Sequence, residues 1–307
     1  MTFNITRSPS LLSPDRTFRA ITLMAAVTTA TILAIIFVVL ALGSIPALTA
    51  TSFVDFIGTN AGPIFGTVAT ALIAIVVAGP IGILAAIYLV EFAPKRLAVV
   101  LTFIVELIAA IPSVVFGLWA VNDLSIRLRD SVEWWIASTF GKFIPFLSED
   151  SNNPAADSVF RAGFLVGIMI IPLVVALSRE IIRAVPISLR EGYIGIGATR
   201  WETIRHVVLP TARIGITGAL MLALGRALGE TIAVTMVIGG SNDVPGSLFQ
   251  PGSTIATRIA TTLPEANPDV KSVLIALGVI LFFVSLGLSL AMRLAARQTA
   301  KITASVK

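Results

Sequence analysis

Few residues in this 307-residue sequence can do chemistry, and the sharpest of them sit where charge is costly. Arg226 and Glu230 lie inside the apolar run L-G-R-A-L-G-E-T-I-A-V-T-M-V-I-G-G. A charged side chain at bilayer depth costs at least ~2.5–3.5 kcal/mol, so this pair must face a bundle interior or a water-filled path. At i, i+4 spacing on one helix face the two can neutralise each other, a purely structural role. The alternative is an anion site, because a guanidinium presents a planar fork to oxyanions and keeps its charge. Gly225 and Gly229 flank the pair at G-x-x-x-G spacing, which lets a second helix approach the charged face. Glu106, in another apolar run ahead of Pro112, supplies a further carboxylate at comparable depth. The three charges sum to −1, which repels an anion. Either a glutamate at depth is protonated or an arginine from outside the chain shifts the balance.

The rest of the inventory is mostly exclusion. There is no cysteine, so disulfides, thiolate metal sites and cysteine nucleophiles are ruled out. A single histidine, His206, reads as a solvated surface residue and not as a metal ligand or general base. Thr231 and Thr235 beside Glu230 are weak grounds for a nucleophile. No G-x-x-x-x-G-K-[ST] phosphate loop occurs, so any ATP-derived energy must come from another chain.

A second constellation is a docking segment. Within 179–212, Ser188 with Glu191 and Thr199 with Glu202 both have the spacing of a helix-capping box. Pro186 precedes the first predicted helix, Gly197 lies between the two, and Pro210 is expected to close the second. Leu189, Tyr193 and Ile196 share one face of the first helix; Trp201, Ile204 and Val208 align on the second. Two short amphipathic helices are marginal alone in water, so these faces need burial. They can pack on the protein's own helix ends, lie in the lipid interface, or dock another protein.

The elements that position these residues are membrane spans. Hydrophobic residues make up 56% of the chain, charged residues 13%, and mean hydropathy is +0.95. A soluble domain carries roughly 25% charged residues, so lipid is the solvent here. The net charge of +5 is therefore read by its distribution and not as a nucleic-acid signal. Apolar runs long enough to cross a ~30 Å hydrocarbon core predict an all-α bundle of six spans. They cover about 20–42, 63–90, 97–121, 159–178, 213–238 and 272–294. The first run is longer than a signal peptide's apolar core. With the N-terminus inside, cytoplasmic segments hold fifteen Lys and Arg against six outside, so both termini are expected in the cytoplasm. The organisation is a tail at 1–19, a transmembrane domain at 20–294 and a tail at 295–307. Outer loops cover 122–158 and 239–271. Leu128, Val132, Trp135 and Ile136 predict an amphipathic surface helix in the first, with Arg129 and Glu133 on its polar side. Ser253 is expected to cap a short helix to Thr262 in the second.

Glu191, Gly197, Leu209 and Pro210 match the EAA loop of ABC-importer permeases, E-A-A-x3-G-x9-I-x-L-P, at the right spacing; Gly192 and Tyr193 replace the alanines and Val207 the isoleucine. The chain therefore resembles a type I ABC importer permease. Its span-five run, with F-I-V-E-L-I-A-A-I-P-S-V-V-F-G-L-W-A in span three and P-I-F-G-T-V-A-T-A-L-I-A-I-V-V-A-G-P in span two, is similar to the PstC-type permease of the high-affinity phosphate ABC importer. The related PstA type usually reads A-R-A-x-G-E-T where this sequence has G-R-A-L-G-E-T. The resemblance implies a MetI-like fold in a bacterial inner membrane and inorganic phosphate as cargo. It also implies a PstA-like second permease, two copies of a PstB-like ATPase that bind ATP and Mg, and an extracytoplasmic phosphate-binding protein. No cofactor belongs to this chain. Arg226, Glu230 and Glu106 would line the path, with a partner's arginine offsetting the second carboxylate. Glu191, Gly197, Leu209 and Pro210 would form the ATPase contact, with Tyr193 and Trp201 as packing residues outside the signature. A stand-alone anion transporter or channel would explain the spans and Arg226, but not the 191-to-210 spacing. An intramembrane enzyme acting on lipid phosphates would need a nucleophile or metal cluster that the sequence does not supply.

Overall fold

A computed structural model describes residues 14–148 and 157–305, with side chains placed for 17–148 and 157–294. Expectations resting on Arg7, Arg16, Arg297, Lys301 and Lys307, and on 149–156 of the first outer loop, lie outside the described residues or side chains. The described chain is helical: α1 (Pro14–Ala50), α2 (Phe53–Thr59), α3 (Ala61–Phe92), α4 (Lys95–Ala110), α5 (Ser113–Phe140) and α6 (Val159–Arg183). There follow α7 (Ile187–Gly195), α8 (Arg200–Gly229), α9 (Ile232–Thr235), α10 (Ile255–Thr262) and α11 (Pro268–Ser305). Five helices are long and apolar enough to cross a membrane, and a sixth span exists if α4 and α5 count as one bent unit.

α3 and α6 form the centre of the bundle. Between membrane helices there is no water to exclude, so close backbone approach drives the contact. A Cβ on Gly163 would come within 2.7 Å of Ile73, and one on Gly82 within 2.6 Å of Val174. Around this pair, Ala74, Ala78, Val166, Ile170, Ala223 and Val234 make a fully enclosed core. α1 packs on α11, with Phe37 against Phe282 and Phe283, and otherwise presents its side chains outward.

Two expected spans are broken. The predicted 97–121 helix stops at Ala110, bends by 90° and resumes at Ser113. Pro112 is the cause: it excludes Ile111 from the helical region, and Ile111 sits at φ −66°, ψ 128°. The predicted 213–238 helix starts earlier, at Arg200, and ends at Gly229; Glu230 is extended at ψ 125°. The pieces beyond the two breaks pack on each other, and a Cβ on Gly117 of α5 would meet Met236 Sδ at 2.6 Å.

Other expectations change in detail. The surface helix in 122–158 belongs to α5, and Glu133 is buried where a polar outer face was expected. α10 forms as predicted to Thr262, but Thr254, not Ser253, caps it, in a box with Thr257. Trp119, Trp134 and Trp135 are exposed along α5, as interfacial indoles would be.

Candidate translocation site and docking loop

Arg226 lies one turn before the end of α8 and is exposed on the single chain. Because Glu230 has left the helix, the two do not share a helical face, and no ion pair joins them. The mutual-neutralisation reading therefore fails. Gly225 and Gly229 face open space, as does Gly218 below them, and Ile214 and Leu222 on the same side are exposed. No helix among the described residues covers the glycine face, which leaves it open to a second chain. The Glu230 N–H still donates to the Ala227 carbonyl, but carbonyls freed where a helix ends at membrane depth are tolerated only inside protein or beside water. Broken helices are also where membrane transporters build ligand sites.

Glu106 does not join Arg226. It lies 3.9 Å from Arg179 near the end of α6, across a cavity of about 650 Å³ that Lys95 and Arg183 also line. Arg179 donates to Thr102 Oγ1 at 2.5 Å and to Glu180 at 2.8 Å. The −1 balance dissolves for a geometric reason. Pro112 ends α4, and α4 lies against α6, whose Arg179 answers Glu106. In the sequence Arg179 is one basic residue among the fifteen expected on the cytoplasmic side, with no spacing that ties it to Glu106.

At the same end of the bundle, α7 and the start of α8 meet at Gly197, whose φ of +97° is the left-handed conformation its position required. Thr199 and Glu202 form the expected capping box. Ser188 does not cap: α7 begins at Ile187 behind Pro186, which puts Ser188 inside the first turn. Nor does Pro210 close the second helix. A π-helical turn over Ile204–Val208 resets the register, leaving Pro210 in the first turn of the α-helix that follows, where its missing N–H is no loss.

The apolar faces divide. Ile204 and Val208 are buried against Ala86, Ile87, Ile182 and Ala212, so that part of the loop packs on its own bundle. No residue of α7 is fully buried: Ile187, Leu189 and Ile194 are exposed, as are Ile196 just beyond it, to 79%, and Trp201, to 54%. Glu191 and Gly197 are exposed and Tyr193 is half-buried against His206, with ring centroids 6.3 Å apart. Leu209 and Pro210 sit half-buried at the root. The pair is anchored by two arginines. Arg190 meets Glu91 at the end of α3 at 2.8 Å, off the hydrogen-bonding axis, and also donates to the Ile182 carbonyl; Arg200 reaches the Glu91 carbonyl at 3.5 Å. Sequence reasoning missed Glu91, although an acid ending a long apolar run beside a basic loop was a visible cue.

A membrane bundle with two broken helices, an arginine on an uncovered face and an anchored but unpartnered helix pair has the architecture of an ABC importer permease. The same fold occurs in the crystal structure of a bacterial alginate ABC transporter in complex with alginate pentasaccharide-bound periplasmic protein: the TM-score is 0.61 over 94% of this chain and 98% of that one, at 18% identity. This chain belongs to the binding-protein-dependent transport system inner membrane components, whose family profile matches residues 78–301. Among curated relatives it is 40% identical to the phosphate transport system permease protein PstC of Haemophilus influenzae, over 73% of this chain and 71% of the relative. It is 42% identical to that of Mesorhizobium japonicum, over 73% and 68%.

Proposed function

We propose that the chain is a permease subunit of an ATP-driven phosphate importer in a bacterial cytoplasmic membrane. It forms half of the path with a PstA-like second permease, receives phosphate from an extracytoplasmic binding protein, and does no chemistry itself. Two PstB-like ATPases bind ATP and Mg, and one of them docks on α7 and Trp201 of this chain, with Glu191, Tyr193, Gly197, Leu209 and Pro210 shaping the contact. Both termini are cytoplasmic in this reading, on the bias of Lys and Arg. The observation that carries it is Arg226, a guanidinium inside an apolar helix that forms no ion pair among the described residues, on a glycine face that no described helix covers. A second permease closing on that face brings a wall to the arginine, and Glu230 at the break leaves the local charge near zero. Glu106, with Arg179, Lys95 and Arg183, lines a basic cavity at the cytoplasmic exit, where positive charge eases release from the apolar zone.

The test is phosphate uptake by the assembled importer carrying Arg226→Lys or Arg226→Ala. One charge-assisted hydrogen bond is worth ~1.5–3 kcal/mol, so loss of the fork predicts uptake reduced roughly 10- to 100-fold in both, with normal assembly. Full uptake with lysine reduces Arg226 to a point charge. Phosphate transport by the isolated chain in liposomes without ATP overturns the whole assignment.

A further inference from the structure

Away from α8, one cleft holds polar atoms that the chain leaves without partners. It lies where the final turn of α1 and all of α2 meet α10 and the first turns of α11, and its volume is about 270 Å³. Asp55, Asn60, Arg258, Thr262, Val273 and Leu274 line it. Asn60 is 3% exposed; its Nδ2 donates to the Phe56 carbonyl at 2.8 Å, but its Oδ1 accepts nothing. Arg258 Nη1 is enclosed and donates to nothing, and no carboxylate among the described residues lies within ion-pair distance of it. Burial holds the Arg258 guanidinium below its ordinary pKa, the mark of a cation that lacks a counter-charge. Asp55 is exposed at the rim.

An unfilled buried donor and an unfilled buried acceptor in one cleft call for a ligand that both accepts and donates. The uncompensated cation calls for that ligand to carry an anionic group, which water does not. The volume lies below the ~300–1,000 Å³ of sites for drug-sized molecules, so the ligand group is small. The level is also informative. α1 has 37 residues, about 55 Å at 1.5 Å per residue, well beyond a ~30 Å hydrocarbon core. α11 opens with Asp269 and Lys271 before its apolar run begins. The cleft therefore sits at headgroup height, with Val273 and Leu274 as its apolar floor.

We propose that this cleft binds a phosphate group with a hydrogen-bond donor beside it, phosphoryl oxygens on Arg258 and the donor on Asn60 Oδ1 and Asp55. Two sources carry that chemistry: a bilayer phospholipid whose headgroup bears a primary ammonium, and free monohydrogen phosphate, whose own hydroxyl donates. The site is off the α8 path and does not depend on the function proposed for it.

The intact importer is reconstituted in discs of phosphatidylcholine containing equal small fractions of phosphatidylethanolamine and phosphatidylglycerol, and lipid retained after detergent washing is quantified. Radiolabelled phosphate binding is measured in parallel on lipid-stripped protein, with sulfate as competitor. A lipid site retains phosphatidylethanolamine over phosphatidylcholine at least ~10-fold, the effect of one hydrogen bond of about 1.4 kcal/mol; Arg258→Gln abolishes retention and Asp55→Asn narrows the preference. A free-phosphate site binds phosphate but not sulfate, survives Arg226→Ala and is lost in Arg258→Gln. Asp55 is exposed, so its variant reports on the site even if Arg258→Gln disturbs folding. Retention of phosphatidylglycerol or phosphatidylcholine at or above the level of phosphatidylethanolamine, together with no such phosphate binding, overturns the proposal, as does wild-type selectivity in Asp55→Asn and Arg258→Gln.

Discussion

Arg161 and Arg226 are both arginines in apolar helices, yet the chain treats them in opposite ways. Arg161, in the first turn of α6, is 3% exposed and bonds Glu133 of α5 at 2.5 Å. Ser158 donates to the same carboxylate at 3.2 Å and accepts from the Arg161 amide at 3.2 Å, so cap and ion pair form one buried unit. Removing one partner of such a pair strands the other and costs ~3–5 kcal/mol, whereas replacing both by apolar groups is often neutral. Glu133→Gln is expected to lower the melting temperature and membrane yield, with Glu133→Leu/Arg161→Met recovering most of both; a double-mutant cycle on thermal unfolding checks this. Arg226 has no such partner, so Arg226→Ala is expected to leave the melting temperature nearly unchanged while uptake falls. Two arginines indistinguishable by hydropathy thus separate into one paired inside the chain and one that forms no ion pair among the described residues.

At the scale of elements, α7 has no stability of its own. None of its nine residues is fully buried, and Gly197, the Tyr193–His206 contact, Arg190 and Arg200 fix its attitude to the bundle. A β-branched residue at φ +97° is strained by roughly 1–3 kcal/mol. Gly197→Val is therefore expected to swing α7 out of register, cutting ATPase co-purification about 5-fold or more while span insertion stays intact. Unchanged co-purification would show that the ATPase docks elsewhere. The break after Ala110 follows the same logic of local backbone chemistry. Pro112 forbids helical geometry at Ile111, and the bend it imposes brings α5 onto α9 through Gly117.

For the whole molecule, the main feature is what the bundle leaves uncovered. α3 and α6 fill the centre, α1 touches the rest of the bundle chiefly through α11, and the Ile214–Gly218–Leu222–Gly225 face of α8 is open. The chain has no cysteine, so single introduced thiols report cleanly. Leu222→Cys is expected to form a disulfide with a cysteine on the facing helix of the second permease, and Leu286→Cys, exposed on α11, is expected not to. Phe143→Cys should react with an impermeant maleimide in whole cells, and Ile194→Cys only in inside-out vesicles; the reverse pattern would invert the topology.

Much of this was legible from residue types and spacing alone. Continuous apolar runs and scarce charge dictated membrane helices, because no other surface composition survives in lipid. Gly197 announced its left-handed corner and Thr199 with Glu202 their cap, since both are local backbone requirements met within a few residues. What tertiary structure decided is which distant groups meet. Glu133 found Arg161, Glu91 found Arg190, and Glu106 found Arg179 instead of Arg226, each across 28 or more residues of chain. Periodicity also could not show that Glu230 leaves the helix or that Pro210 does not end one. A helix break at depth with no proline behind it, as at Glu230, is decided by the neighbours that satisfy the freed backbone, and those are set only when the bundle packs.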